Sequence, residues 1–328
     1  MHPARARPQD RSQTSPSVFP EPAMTYVGKW LKSPEHLLFS VTERVARITF
    51  NRPEKRNALL PSTLQELHDA LLEADDRTDV NVIVLEGAGK DFCAGYDLGG
   101  VYAGRKAEDE ARADPTDPAA TYRSSISSVD DDAWFLERQQ ALTTILFALH
   151  KPVIAKVQGN CMAGGTDLAL MCDFVIVADD AKIGFPATRA NGSPPNHMWV
   201  YHCGPQWAKR LLMTGDCVMG RDAVRLGLAL ESTPAEELDA AVAELARRLS
   251  HVDAELLAAQ KRIVNLAMEL MGAGTLQRLA AENDARAHLS KGPRRTQFKA
   301  DMAEHGLKTA LTNRDAPFGD GVIRLRED

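Results

Sequence analysis

The chain has 328 residues, 44% hydrophobic and 26% charged, with a formal net charge of -6. That length carries one large core or two modest ones. No apolar run approaches the roughly 20 residues a membrane span needs, and a mildly acidic balance without a basic stripe argues against nucleic acid as the main partner.

Residues 1–23 combine positive charge with no apolar central segment, so they do not read as a secretory signal. Rich in Pro, Ser and Arg, they are expected to be disordered, and Met24 is an alternative start. Arg44–Phe50 alternates Ala46, Ile48 and Phe50 against Arg47 and Thr49, a half-buried strand. Asn51–Leu59 carries turn formers and the basic pair Lys55-Arg56. A helix follows from Pro61-Ser62, with Ser62 and Gln65 spaced as a capping box and Leu64, Leu67 and Leu71 on one face. Val80–Leu85 reads as a short buried strand, ended by the Gly-rich break Glu86–Lys90.

The polar stretch Gly99–Asp132 reads as a mobile loop or a broken helix, and helix resumes over Ala133–His150. The strand–loop–helix–strand rhythm then recurs: strand Val153–Val157, loop Gly159–Gly165, helix Thr166–Met171, strand Phe174–Val177. Strands alternating with helices predict an α/β core with mostly parallel strands. After Ala235 the pattern is helical: Glu236–Leu249, Ala254–Met271, Leu276–Leu289 and Thr296–Leu311. The five cysteines, Cys93, Cys161, Cys172, Cys203 and Cys217, are odd in number and form no CxxC pair. Reduced thiols in a cytoplasmic protein are expected, with neither a disulfide framework nor a metal site.

Two loops carry the chemistry. Asp91–Leu98 (DFCAGYDL) follows a strand, and Asn160–Asp167 (NCMAGGTD) joins a strand to a helix. Small residues allow backbone to approach a ligand closely, and free N–H groups at a helix start suit an anionic oxygen. Two such donors aimed at one point would form an oxyanion hole. Taken alone, each loop reads more readily as a tight connection. The second is no phosphate loop, since it lacks the Gly-Lys-Ser/Thr ending.

The blocks RITFNRPEKRNAL, DFCAGYDL, KPVIAKVQGNCMAGGTDLALMCDFVIVADDAKIGFP and TGD (Thr214–Asp216), in this order and spacing, resemble the crotonase (enoyl-CoA hydratase/isomerase) superfamily. The tail, Ala303–Leu307 and Arg314–Asp320, is similar to its bacterial enoyl-CoA hydratase-like branch. The likeness runs from about His36 to Gly319. It implies an α/β fold: a crotonase-like spiral of ββα units with a helical C-terminal subdomain. On that basis the chain divides into a disordered or loosely ordered extension (1–35), an α/β core (36–235) and a helical oligomerisation subdomain (236–328). The resemblance further implies a homotrimer or dimer of trimers and an acyl-CoA thioester substrate, with coenzyme A part of that substrate and no other cofactor. By motif match the oxyanion donors would be the N–H groups of Tyr96, after Ala94-Gly95, and of Gly164, beside Gly165. Arg56 and Ala58 would lie near the CoA nucleotide.

Family hydratases carry two Glu side chains that share a water. Here the first position is Asp167, and the second, in Ile183–Ala187, is Ala187. Alanine moves no proton, and Asp reaches less far than Glu by more than an ångström, about enough to matter in a positioned reaction. Two-Glu hydration is therefore not expected, whereas a 1,3-proton shift needs one carboxylate. Asp167 also fits a capping role in the first turn of its helix. Arg189, His197, Tyr201 and His202 are further acid–base candidates, though His197 and Tyr201, at i, i+4 spacing, equally suit helix packing. Asp97 reads as a loop stabiliser, and Cys93 and Cys161 as buried thiols. The leading expectation is an enoyl-CoA hydratase/isomerase-like lyase or isomerase with Asp167 as acid/base. The alternatives are a non-catalytic acyl-CoA-binding homologue and a purely structural oligomer.

Overall fold

Alternation and apolar runs build the larger sheet of the computed structural model, which describes residues 26–123 and 128–326. The expected disorder of residues 1–23 lies outside the described residues. Residues 26–35 differ from the expectation of loose order. Leu31 is 1% exposed, and Glu73 accepts both the Tyr26 hydroxyl (2.9 Å) and the Trp30 N–H (2.8 Å). The physical reason is a single carboxylate that satisfies two groups while Leu31 fills the core beside it.

Strands β1 (Leu37–Thr42) and β2 (Val45–Phe50) form an antiparallel hairpin, and Ala46, Ile48 and Phe50 face the core as their alternation predicts. Helix α1 (Pro61–Asp76) buries Leu64, Leu67 and Leu71. Its N-cap is Leu60 rather than Ser62: the Thr63 hydroxyl accepts the Leu60 N–H at 3.4 Å. Pro61 takes the first helical position, where its missing N–H costs nothing, and so moves the start back by two residues. Strand β3 (Val82–Gly87) follows, with Val82–Leu85 fully buried.

The polar stretch after it is a broken helix. Helix α2 (Leu98–Ala113) is capped by the Asp97 side chain, and α3 (Val129–Ala148) by Ser128. Next come β4 (Val153–Val157), β5 (Asn160–Met162), the short α4 (Gly164–Ala169), β6 (Phe174–Ala178) and β7 (Lys182–Gly184). Helix α5 (Trp199–Thr214), β8 (Cys217–Met219), α6 (Gly220–Leu226) and β9 (Glu231–Thr233) complete this part. The larger sheet runs β1-β2-β3-β4-β6-β9 and is parallel from β2 onward.

The C-terminal helices are α7 (Leu238–Ser250), α8 (Ala254–Leu270), α9 (Ala273–His288) and α10 (Pro293–Asp315), followed by β10 (Val322–Ile323). A smaller sheet runs β10-β8-β7-β5, with β7 parallel to β5 and antiparallel to β8. Helix α9 packs along α3, where Ala281 and Ala285 allow close approach to Ala133 and Leu136. Helix α8 leaves Leu256, Ile263, Val264 and Leu270 exposed, the last at 82%. No helix among the described residues is long and apolar enough to cross a membrane.

Candidate active site

The two Gly-containing loops lie side by side. Cys93 pairs with Cys161: its N–H donates to the Asn160 carbonyl (3.0 Å) and its carbonyl accepts the Met162 N–H (2.9 Å). The strap from Arg56 to Leu59 lies on the other edge of the first loop. Ala94 N–H donates to the Arg56 carbonyl, Leu59 N–H to the Gly95 carbonyl, and Asp97 N–H to the Leu59 carbonyl, all at 2.8–2.9 Å. Because Gly95 and Asp97 serve the Leu59 edge, the intervening Tyr96 peptide faces away from it.

That opposite edge meets the second loop. A β-carbon on Gly95 would lie 2.9 Å from Cβ of Ala163 and 3.2 Å from the Gly164 nitrogen. A β-carbon on Gly164 would lie 3.0 Å from Cε2 of Tyr96 and 3.1 Å from Cδ1 of Leu59. Gly165 is equally confined, since a β-carbon there would be 2.6 Å from the Cys93 carbonyl oxygen. Among the described residues no protein acceptor takes the N–H of Tyr96 or of Gly164. The first N–H of a helix has no partner within it, which accounts for Gly164.

Ala163 holds the turn in an uncommon backbone conformation, φ 47° and ψ -115°. Its N–H donates to the Gly184 carbonyl of β7 (3.0 Å), and its carbonyl accepts from Thr166 N–H, Thr166 Oγ1 and Asp167 N–H. Asp167 therefore leaves the first turn of α4 with its side chain directed away from the cap. Its Oδ2 accepts the Tyr96 hydroxyl at 3.3 Å, its Oδ1 is buried without a partner, and the residue is 2% exposed. Burial pushes the Asp167 carboxyl well above the ordinary range, the negative charge of Asp284 adds to this, and the Tyr96 hydroxyl partly opposes it. Tyr96 is raised by the same burial and by both carboxylates.

Asp97 stands apart in role. Against the cost of burial, the Gly100 N–H and Arg52 hold its carboxyl below the usual value, as suits a helix cap and ion pair (3.1 Å to Arg52). Arg56 is exposed at the mouth of the strap with φ 51°, and Ala58 is half-buried, its carbonyl taken by Arg52 Nη1. Cys93 and Cys161 are fully buried; burial pushes the Cys93 thiol up to about 12. Ala187 is half-buried, and its carbonyl accepts the N–H groups of Ala190, Asn191 and Gly192, so the loop turns tightly there.

The other acid–base candidates are not gathered around Asp167. Arg189 is a structural hub: it bonds Asp216 (3.0 Å), Asp315 (3.1 Å) and the Thr214 carbonyl (3.0 Å) and stacks on Phe318. His202 is held by the Leu170 carbonyl (2.9 Å), and burial lowers its pKa. The Tyr201 hydroxyl donates to the Met271 carbonyl (3.2 Å). His197 precedes α5 instead of sharing a helical face with Tyr201. It lines a cavity of about 420 Å³ with Ser193, Val200 and Leu276, and burial lowers its pKa.

Asp284, on α9, is the residue that sequence reasoning missed. Its i, i+4 partner His288 and the small Ala281 and Ala285 beside it mark a buried helix face, a signal present in the sequence. Among the described residues no group of three or more His, Cys, Asp or Glu side chains is arranged to hold a metal ion.

This fold and these two apposed loops define the enoyl-CoA hydratase/isomerase family, to which the chain belongs: the family pattern matches residues 45–291. The chain is similar to an enoyl-CoA hydratase of Mycobacterium smegmatis of known structure, with TM-score 0.77 and 38% identity over 88% of this chain and 95% of that one. An enoyl-CoA hydratase/isomerase from Xanthobacter autotrophicus Py2 superposes with TM-score 0.75 at 31% identity, over 86% of this chain and 98% of that one. The hydroxycinnamoyl-CoA hydratase-lyase of Pseudomonas fluorescens is 30% identical over 88% of this chain and 98% of its own length.

Proposed function

We propose that the chain is an enzyme acting on an acyl-CoA thioester, with the Tyr96 and Gly164 N–H groups as oxyanion donors and Asp167 as the proton-transfer group. One observation carries this reading: two unclaimed backbone N–H groups on loops packed against each other, beside a buried carboxyl with an unpartnered oxygen. Polarising the thioester oxygen acidifies the α-carbon, and each such donor is worth about 10²–10³ in rate. A carboxyl whose pKa is raised by burial holds its proton more readily than an ordinary one and can act as donor as well as acceptor. The ionised form of Asp167 takes the α-proton of a 3-enoyl thioester, the electron pair moves onto the thioester oxygen, and the same proton returns at the γ-carbon as the 2-enoyl product forms. Ala187 offers no second carboxyl at the family position, which favours this 1,3-shift over hydration by the two-Glu route.

Exposed Lys55 and Arg56 at the edge of the strap suit the phosphates of a CoA nucleotide, with Ala58 beside it. The uncovered apolar face of α8 supports assembly into a trimer or dimer of trimers. The test follows thioester absorbance with 2-enoyl- and 3-enoyl-CoA. Turnover by the parent and a loss of 10²-fold or more in Asp167→Asn are expected. An Asp167→Asn variant as fast as the parent would remove the assigned role. Micromolar binding without turnover would favour a non-catalytic acyl-CoA-binding protein.

A further inference from the structure

Helix α9 brings a second carboxylate to the loop that carries Ala187. Asp284 is 3% exposed, and its Oδ1 accepts the Ser193 N–H at 2.7 Å. Gly192 allows that approach, since a β-carbon there would lie 2.4 Å from the same oxygen. Behind it stands His288, with Nε2 3.5 Å from Asp284 Oδ1 and Nδ1 2.8 Å from Asp132 Oδ2. Asp132 is buried at the start of α3, whereas the His288 side chain is 21% exposed. A buried carboxylate, an imidazole that reaches the surface and a second buried carboxylate thus stand in a row. On the inner side, the charge of Asp284 reaches both Asp167 and Tyr96.

We propose that Asp284 is the second proton-transfer carboxylate of this active site, supplied by the C-terminal helices in place of the carboxylate missing at Ala187, with His288 and Asp132 as its positioning residues. The inference rests on the acyl-CoA reading and extends it from a 1,3-shift to addition of water. Two carboxyls with different environments divide the roles. Asp284 has partners for its anion, the Ser193 N–H, His288 and the guanidinium of Arg295, and against burial they hold its pKa to about 6. Among the described residues Asp167 has only the Tyr96 hydroxyl. Asp284, with the better-partnered anion, is the base, and Asp167, whose burial favours the protonated form, is the acid.

The step balances within the site. Asp284 takes a proton from water as the water oxygen bonds to the β-carbon of a 2-enoyl thioester. The C=C electron pair shifts to the thioester oxygen, held by the two N–H groups, and Asp167 gives its proton to the α-carbon as the thioester carbonyl re-forms. One H and one OH have been added. The proton left on Asp284 moves to the more basic Asp167, directly or by water, and the resting state returns. His288 on α9, Asp132 on α3 and Arg295 on α10 act electrostatically on Asp284, and its own charge acts on Asp167 on α4 and Tyr96 on the first loop.

The experiment compares the full-length parent with Asp284→Asn, Asp167→Asn and His288→Gln, using crotonyl-CoA for hydration, a 3-enoyl-CoA for the 1,3-shift, and calorimetry with acetoacetyl-CoA for binding. Asp284→Asn is expected to bind within about threefold of the parent and to lose hydration by about 10²-fold or more, well beyond any change in the 1,3-shift. Asp167→Asn is expected to lose both. His288→Gln removes the imidazole that lowers the Asp284 pKa, so the acid limb of kcat/KM for hydration moves to higher pH, a shift that a merely structural role would not produce. Hydration by Asp284→Asn at the parent rate overturns the proposal, as does an unmoved acid limb in His288→Gln. A parent that isomerises without hydrating overturns it while leaving the acyl-CoA reading intact. A parent that binds no CoA thioester removes both.

Discussion

Gly164→Ala tests the apposition of the two loops directly. The added β-carbon would sit 3.0 and 3.2 Å from Cε2 and Cδ2 of the Tyr96 ring and 3.1 Å from Leu59 Cδ1. Ordinary carbon–carbon contact begins near 3.5 Å, so a gap of about half an ångström must open. The Tyr96 hydroxyl meets Asp167 at 3.3 Å, close to the limit of a hydrogen bond, and a ring shift of that size breaks it. Leu59 cannot yield instead, since it is fully buried and its N–H is tied to Gly95. Overpacking of this kind costs about 1–3 kcal/mol, and displacement of one oxyanion donor costs about 10²–10³ in rate. Thermal melts together with kcat on a 3-enoyl-CoA check both. A variant with parental kcat and an unchanged Tm would refute the packing of Tyr96 over Gly164 and the role drawn from it.

Gly104→Ala is the matching control. Nothing lies within 4 Å of its added β-carbon, in the middle of α2, so a gain of about 0.5–1 kcal/mol in urea melts is expected without loss of activity. Arg189→Met removes the cation shared by Asp216 and Asp315. Arg210 and Arg314 still face those two carboxylates, so the cost is expected at the low end for a broken buried pair, about 3 kcal/mol by denaturant titration, with KM little changed. Asp167→Asn should separate stability from activity. A carboxyl with a raised folded pKa keeps a proton that the unfolded chain releases above about pH 4, so it erodes stability as pH rises from there toward its folded value. The variant is therefore expected to gain stability over the parent through that window and to match it below pH 4; an equal difference at every pH would contradict the buried, weakly partnered carboxyl.

The strands were legible because their signal is local. Ala46, Ile48 and Phe50 alternate, and Val82–Leu85 is an apolar run with nothing polar to place it elsewhere. The helical C-terminal third was legible for the same reason. Helix α2 was legible only as one of two alternatives, loop or broken helix, since Gly99, Gly100 and Gly104 lower its propensity while the Asp97 cap, bound to Gly100 N–H, fixes its start. Within the site, Tyr96, Gly164 and Asp167 were read from motif spacing, and their packing is a matter of backbone approach that the glycines already indicate. Asp284 escaped because its neighbourhood is assembled by tertiary packing. Ser193 and Asp132 join Asp284 and His288 only once α9 lies on α3. His197 and Tyr201 were drawn together by i, i+4 spacing, a relation that holds only inside a helix, and the helix begins after His197.

The backbone at Ala163 has a consequence for how the protein is put together. A residue with a β-carbon held at φ 47° and ψ -115° lies about 1–3 kcal/mol above a relaxed conformation, so the segment around it does not take that shape unaided. The shape is imposed from outside, by the Gly184 carbonyl at the end of a three-residue strand. The larger sheet and the C-terminal helices can thus be complete while the two peptides proposed as oxyanion donors still diverge. Competence then arrives with the docking of that short strand, and damage to the small sheet is expected to yield a folded, stable and inert molecule.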